Sequence, residues 1–139
     1  MVDILILDHN RLTRAILRTV CGNAGYSLVE TDNCEDALDL VLLHQPRVVI
    51  AELYLPRQDG MVFAQRMRLL PFIQVPHLIF TSDRISRPPI DVGQRAVLSK
   101  PFDQHQLLAL IGELLSAPAA SAQGAPGVPA GLRERAVGE

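Results

Sequence analysis

Tryptophan is absent from this chain, and aromatic residues of all kinds make up only 4% of its 139 positions. With 48% hydrophobic residues it still has ample material for a core, which must therefore be built from Leu, Ile, Val and Ala. Basic charge is not in excess: the formal net charge is −2, so no electrostatic footprint for nucleic acid is present. No apolar run approaches the roughly 20 residues that span a bilayer. The first residues, MVDILILDHN, lack the basic start of a signal peptide and carry Asp3 and Asp8 instead. The two cysteines, Cys21 and Cys34, are too few for a disulfide framework and read as reduced thiols of a cytoplasmic protein. Also missing are a Gly-rich turn after the first apolar run, where His9-Asn10-Arg11 stands, and any G-x-S-x-G. These gaps weigh against a nucleotide fold and a serine hydrolase.

What is present is a rhythm. Ile4 to Leu7 is a short apolar run ending in an acid, Asp8. A helical pattern follows, with Leu12, Ala15, Ile16, Thr19 and Val20 on one face, stopped by Gly22 and Gly25. Tyr26 to Glu30 is a less apolar strand, suited to a sheet edge. The stretch Thr31-Asp32-Asn33 offers an N-cap to a helix carrying Ala37, Leu38, Val41 and Leu42, which Pro46 ends. Val48 to Ala51 is apolar throughout, as in a central strand covered on both faces, and it runs into Glu52.

Past Gly60 a third helix runs from Met61 to about Leu70, with Val62, Phe63, Arg66 and Met67 spread over its faces. His77 to Phe80 is a fourth strand ending in Thr81-Ser82. Between Asp83 and Gln94 the pair Pro88-Pro89 denies a helix its hydrogen bonds, so a loop or single turn is expected there. Ala96 to Ser99 is a fifth strand ending in Lys100-Pro101, and Asp103 caps a last helix with Leu107, Leu110, Ile111 and Leu114 inward. This gives one domain over residues 1–116. Residues 117–139, dominated at first by Ala, Pro, Gly and Ser, are expected to be a disordered tail.

Strands alternating with helices imply parallel βαβ units and a three-layer α/β sandwich. Four strands end in Asp8, Glu52, Thr81 and Lys100, and in a parallel sheet all four emerge on one edge, where such folds place their ligand sites. Two carboxylates, a hydroxyl and an ammonium converging there suit an oxyanion together with a hard cation.

In order and spacing, Asp8, the loop Leu55-Pro56-Arg57-Gln58-Asp59-Gly60, Thr81 and Lys100-Pro101-Phe102 resemble a response-regulator receiver domain of bacterial two-component signalling over roughly Val2 to Ser116. The resemblance implies a flavodoxin-like, doubly wound five-stranded sheet in the order 2-1-3-4-5. It also implies a Mg²⁺ site at two adjacent acids, an acceptor Asp after the third strand, and a Thr/Ser and Lys that grip the phosphoryl oxygens. The backbone carbonyl of Tyr54 would ligate the metal, the Lys100-Pro101 bond would be cis, and partners would be a histidine kinase or a downstream signalling protein.

Four departures strike the switch itself. Glu52 stands at the phosphoacceptor position, His9 replaces the second acid, Val97 occupies the aromatic switch position, and Pro88-Pro89 interrupts the fourth helix. Glu is longer than Asp by one C–C bond, about 1.5 Å, which moves its carboxylate toward where a phosphoryl group would lie. Neutral imidazole is a poor Mg²⁺ ligand and suits Zn, Cu, Ni or Fe, so the metal site at Asp8, Glu52 and the Tyr54 carbonyl is expected to be weak or lost, leaving no firm cofactor.

Glu52 then reads either as a plain salt-bridge partner of Lys100, as a partial phosphoryl mimic, or as a residual acceptor. Three function classes follow: a stand-alone atypical receiver acting through protein contact, without nucleic acid or membrane; a metal-dependent α/β enzyme using Asp8, His9 and Glu52; and a redox or nucleotide module. The first is the expectation. His44, His77 and His105 read as solvated, and Arg84 and Arg87 as a solvated loop.

Overall fold

The computed structural model describes residues 2–71, 75–83 and 96–116. Five strands, β1 (Ile4–Leu7), β2 (Leu28–Thr31), β3 (Val48–Glu52), β4 (His77–Ser82) and β5 (Ala96–Ser99), form one parallel sheet in the order β2-β1-β3-β4-β5. Four helices are found among the described residues: α1 (Arg11–Asn23), α2 (Cys34–His44), α3 (Gly60–Arg68) and α4 (Gln104–Ser116). This is the doubly wound, flavodoxin-like arrangement expected from the alternation of elements. The segment around Pro88-Pro89 and the Ala/Pro/Gly-rich tail lie outside the described residues.

Period two divides the central strands between two cores. Leu5, Leu7, Val49 and Ala51 pack with Ala37, Val41, Phe63 and Met67 on one side. Ile4, Ile6, Val48 and Ile50 pack with Leu17, Cys21, Leu107 and Ile111 on the other. Every residue of β1 and β3 is buried, which is why Ile4 to Leu7 and Val48 to Ala51 read as unbroken apolar runs. Each Val, Leu or Ile side chain among them contributes roughly 1.5–3 kcal/mol on leaving water. The two thiols fall on opposite sides, Cys34 in the first core and Cys21 in the second, and both are free.

Several local expectations are corrected. In α1 the inward residues are Leu17 and Cys21, while Leu12 and Ile16 are 69% and 47% exposed. Arg14 lies on the same side as Leu17 and Cys21, its guanidinium reaching the Asp8 carbonyl at 2.7 Å and Glu30 at 3.2 Å. Gly22 lies inside α1, and Gly25, at φ +95°, makes the turn that follows. α2 is closed by Gln45 in the left-handed region at φ 47°, one residue before Pro46, its amide donating to the Val41 carbonyl. α3 starts at Gly60 and ends at Arg68, with Asp59 as its cap. His77 is half-buried at the start of β4; burial, and then the charge of Arg47, hold its imidazole below the ordinary range.

Candidate functional site

The strand order brings the carboxyl ends of β1 and β3 side by side, with β4 next to β3 and β5 outermost. Asp8 follows β1, Glu52 closes β3, Thr81 is the register partner of Glu52 on β4, and Lys100 follows β5. Lys100 reaches back across the sheet edge. Its Nζ lies 2.8 Å from Asp8 Oδ2 and 3.3 Å from Glu52 Oε2. The acids are deeply buried, with side-chain exposures of 1% and 5%, and Lys100 is 13% exposed.

His9 completes the group. Its Nδ1 is 2.5 Å from Glu52 Oε1 and its backbone N–H donates to the same oxygen at 3.1 Å. Glu52 is thus shared, one oxygen facing His9 and the other Lys100. Asp8 is divided in the same way, Oδ1 accepting the Asn10 amide at 2.8 Å and Oδ2 facing Lys100. The Asn10 side chain in turn accepts from the Thr13 amide at 3.0 Å, so the loop after β1 is also the N-cap of α1.

These surroundings push the two acids in opposite directions. Burial raises the Asp8 carboxyl above its ordinary value, more than Lys100 and the Asn10 amide lower it. Burial acts on Glu52 too, but the His9 side chain and amide, with the charge of Lys100, outweigh it and hold Glu52 below the usual range. For Lys100, burial is outweighed by Asp8 and Glu52, so its ammonium is stabilised.

The loop after β3 is folded tightly against its own strand. The Gly60 amide donates to the Leu53 carbonyl at 2.6 Å, and a Cβ on Gly60 would lie 2.6 Å from the Glu52 carbonyl oxygen. Only glycine fits such an approach. Tyr54 forms an antiparallel bridge with Asp59 across this loop. A shallow groove opens beside the site, lined by Asp32, Asn33, Leu55, Pro56 and Arg57, and it contains none of the clustered side chains.

The structure therefore gathers Asp8, His9, Glu52 and Lys100 into direct contact. Thr81 stands next to Glu52 in the sheet, but its buried Oγ1 has no hydrogen-bond partner among the described residues. The Glu52 carboxylate extends to Lys100 and turns toward His9 instead of Thr81. Val97, on β5 beside Phe80, is partly buried against the first core. The Lys100-Pro101 bond is cis. Sequence reasoning missed Arg14 and Asn10; a polar pair directly after a strand-ending acid and at the head of a helix was the available signal.

A magnesium ion fits this set poorly. Mg²⁺ takes oxygen donors in near-octahedral geometry, whereas here an imidazole nitrogen stands where a second acid would.

The fold and the edge cluster define a class of signalling module. The chain matches the response regulator receiver domain over residues 4–112 and belongs to that family. It is 31% identical over 118 residues to the response regulator MprA of Mycolicibacterium vanbaalenii, covering 82% of this chain and 50% of that protein. It spans about half the length of the curated relatives it matches. Among solved structures it is similar to a CheY-like receiver domain from Methylobacillus flagellatus, with a TM-score of 0.75 at 17% identity over 82% of this chain and 98% of that one. The chemotaxis protein CheY4 of Vibrio cholerae gives a TM-score of 0.75 at 19% identity, with the same coverage. At those identities the two structures speak for the fold alone. Among the described residues no helix is long and apolar enough to cross a membrane.

Proposed function

We propose that this receiver domain works without phosphorylation at position 52. It holds one conformation through Lys100 and passes its signal by contact with a protein partner, either a histidine kinase or a downstream signalling protein. The observation that carries this reading is the double engagement of Lys100, 2.8 Å from Asp8 and 3.3 Å from Glu52. In a phosphorylated receiver the lysine answers a phosphoryl group bearing nearly two charges. Here Glu52 supplies one charge from the acceptor position, a partial mimic that needs no donor. The mimicry stops at the lysine, because the Thr81 hydroxyl has no hydrogen-bond partner among the described residues. Val97 supports the same conclusion: a short branched side chain at the switch position has no ring to move between two sites.

The reading is that of a binding module and not of an enzyme. The carboxylates are neutralised by Lys100 and His9 instead of being poised over a substrate space. The test is intact-mass analysis after incubation with a small phosphodonor and Mg²⁺. The unmodified protein, Glu52→Asp and His9→Asp should each remain unmodified, since the acceptor and the second acid are both needed to neutralise charge as the group arrives. The double variant should gain one phosphoryl group, with Thr81 and Lys100 already in place. An adduct on the unmodified protein would sink the reading.

A further inference from the structure

The misfit with magnesium has a positive side. One donor atom from each of Asp8, His9 and Glu52 lies within 4.8 Å of the others. His9 Nδ1 is 2.5 Å from Glu52 Oε1 and 4.0 Å from Asp8 Oδ1. Donors around a tetrahedral zinc ion, with bonds of about 2.1 Å, stand about 3.4 Å apart. These two separations straddle that value, so the His9–Glu52 pair would open and the His9–Asp8 pair close around the ion. Lys100 does not block it, because it takes the other oxygen of each carboxylate, Asp8 Oδ2 and Glu52 Oε2. It neutralises the pair from one side while the facing oxygens remain with His9.

Access is from the His9 side, where the ring is 45% exposed above two buried acids. A second, independent feature lies beside the cluster. Thr81, the register partner of Glu52, leaves the sheet on the same face and keeps a buried hydroxyl without a partner among the described residues. Such a hydroxyl suits a water on an open metal position, since a buried polar atom is costly to leave unpaired.

We propose that Asp8, His9 and Glu52 form a binding site for a borderline transition-metal dication of the zinc class, in place of magnesium. One imidazole with two carboxylates is a donor set that zinc, cobalt and nickel accept and that magnesium, which demands oxygen, does not. The site goes beyond the conformational role proposed above and does not depend on it.

The full chain, stripped of metal with a chelator, is titrated calorimetrically with Zn²⁺ and with Mg²⁺, and with Co²⁺ followed by visible absorption. One Zn²⁺ should bind per chain, at least about a hundredfold tighter than Mg²⁺, and Co²⁺ should give d–d bands of a nitrogen- and oxygen-ligated ion. His9→Ala should weaken Zn²⁺ at least about tenfold and remove the bands. His9→Asp should shift the preference toward Mg²⁺. Lys100→Met, by taking a positive charge away from the carboxylates, should tighten Zn²⁺, a direction that a merely structural lysine would not produce. Far-UV circular dichroism confirms that each variant is folded. Zinc binding unchanged in His9→Ala, as for an ion held on His44 or His105, would overturn the proposal, as would magnesium binding as tightly as zinc. The titrations read metal preference without a phosphodonor and the mass measurement reads an adduct, so failure of the metal site and failure of the conformational reading are distinguishable.

Discussion

Removing the Lys100 ammonium is the most direct test of how the strand-end cluster is held. In Lys100→Met the stem is kept and the charge is lost, leaving Asp8 and Glu52 side by side with exposures of 1% and 5%. Breaking a buried ion pair by deleting one partner costs about 3–5 kcal/mol, because the remaining charge is uncompensated. Two features pull the estimate to the lower half of that range. His9 still faces Glu52, and the Asn10 amide still faces Asp8. A loss of about 3 kcal/mol corresponds to a fall in Tm of about 10 °C for a domain of this size.

The pH dependence gives the sign. In the unmodified protein the folded Lys100 is raised above its unfolded value. Its contribution is therefore present at neutral pH and is lost only as pH rises through the folded value. In the variant the orphaned carboxylates are pushed upward. Raised acids favour the folded state when protonated, so the deficit is largest near neutrality and shrinks as the pH falls. Urea denaturation of both proteins at pH 7 and pH 5 measures the difference at each. A deficit under 1 kcal/mol at pH 7, or one that grows toward pH 5, would refute the reasoning.

Two further outcomes are expected. Gly60→Ala would place a methyl 2.6 Å from the Glu52 carbonyl oxygen and 3.0 Å from the Leu53 Cα, so the backbone must shift; chemical denaturation should show a loss of about 1–3 kcal/mol, and an unchanged midpoint would mean the loop after β3 is looser than described. Cys21 and Cys34 are both buried, and burial pushes the Cys21 thiol up to about 11; a thiol reagent at pH 8 should react with the native protein far more slowly than with the urea-unfolded chain, and comparable rates would contradict the placement of Cys21.

The sheet was legible because its central strands are buried on both faces and so carry no polar interruptions. Val48 to Ala51 could be read as interior without a neighbour in view, and the acids and lysine at the strand ends follow from parallel alignment. What could not be read is rotation. Leu12 and Ile16 share a helical face with Val20, yet only Val20 packs on the core, while Arg14 on the neighbouring face bonds the Asp8 carbonyl and Glu30. The same holds at the site. Adjacency of His9 and Glu52 was foreseeable from the strand ends, whereas the choice of the Glu52 carboxylate to face His9 and leave Thr81 depends on side-chain torsions that residue order does not encode. Gln45 shows a third limit: a left-handed helix end normally announces itself with glycine or asparagine, and here it does not.

β5 is an edge strand, and among the described strands it pairs only with β4. An outer strand held along one side is the part of a sheet most prone to fraying, yet the residue that follows it is tied by charge to the end of β1, three places inward. The tie works like a guy-rope: β5 cannot peel away without pulling Lys100 off Asp8 and Glu52. Amide exchange along Ala96 to Ser99 should accordingly respond to whatever occupies the space between Asp8 and Glu52, so that an event at the middle of the sheet is felt as slack or tension at its rim.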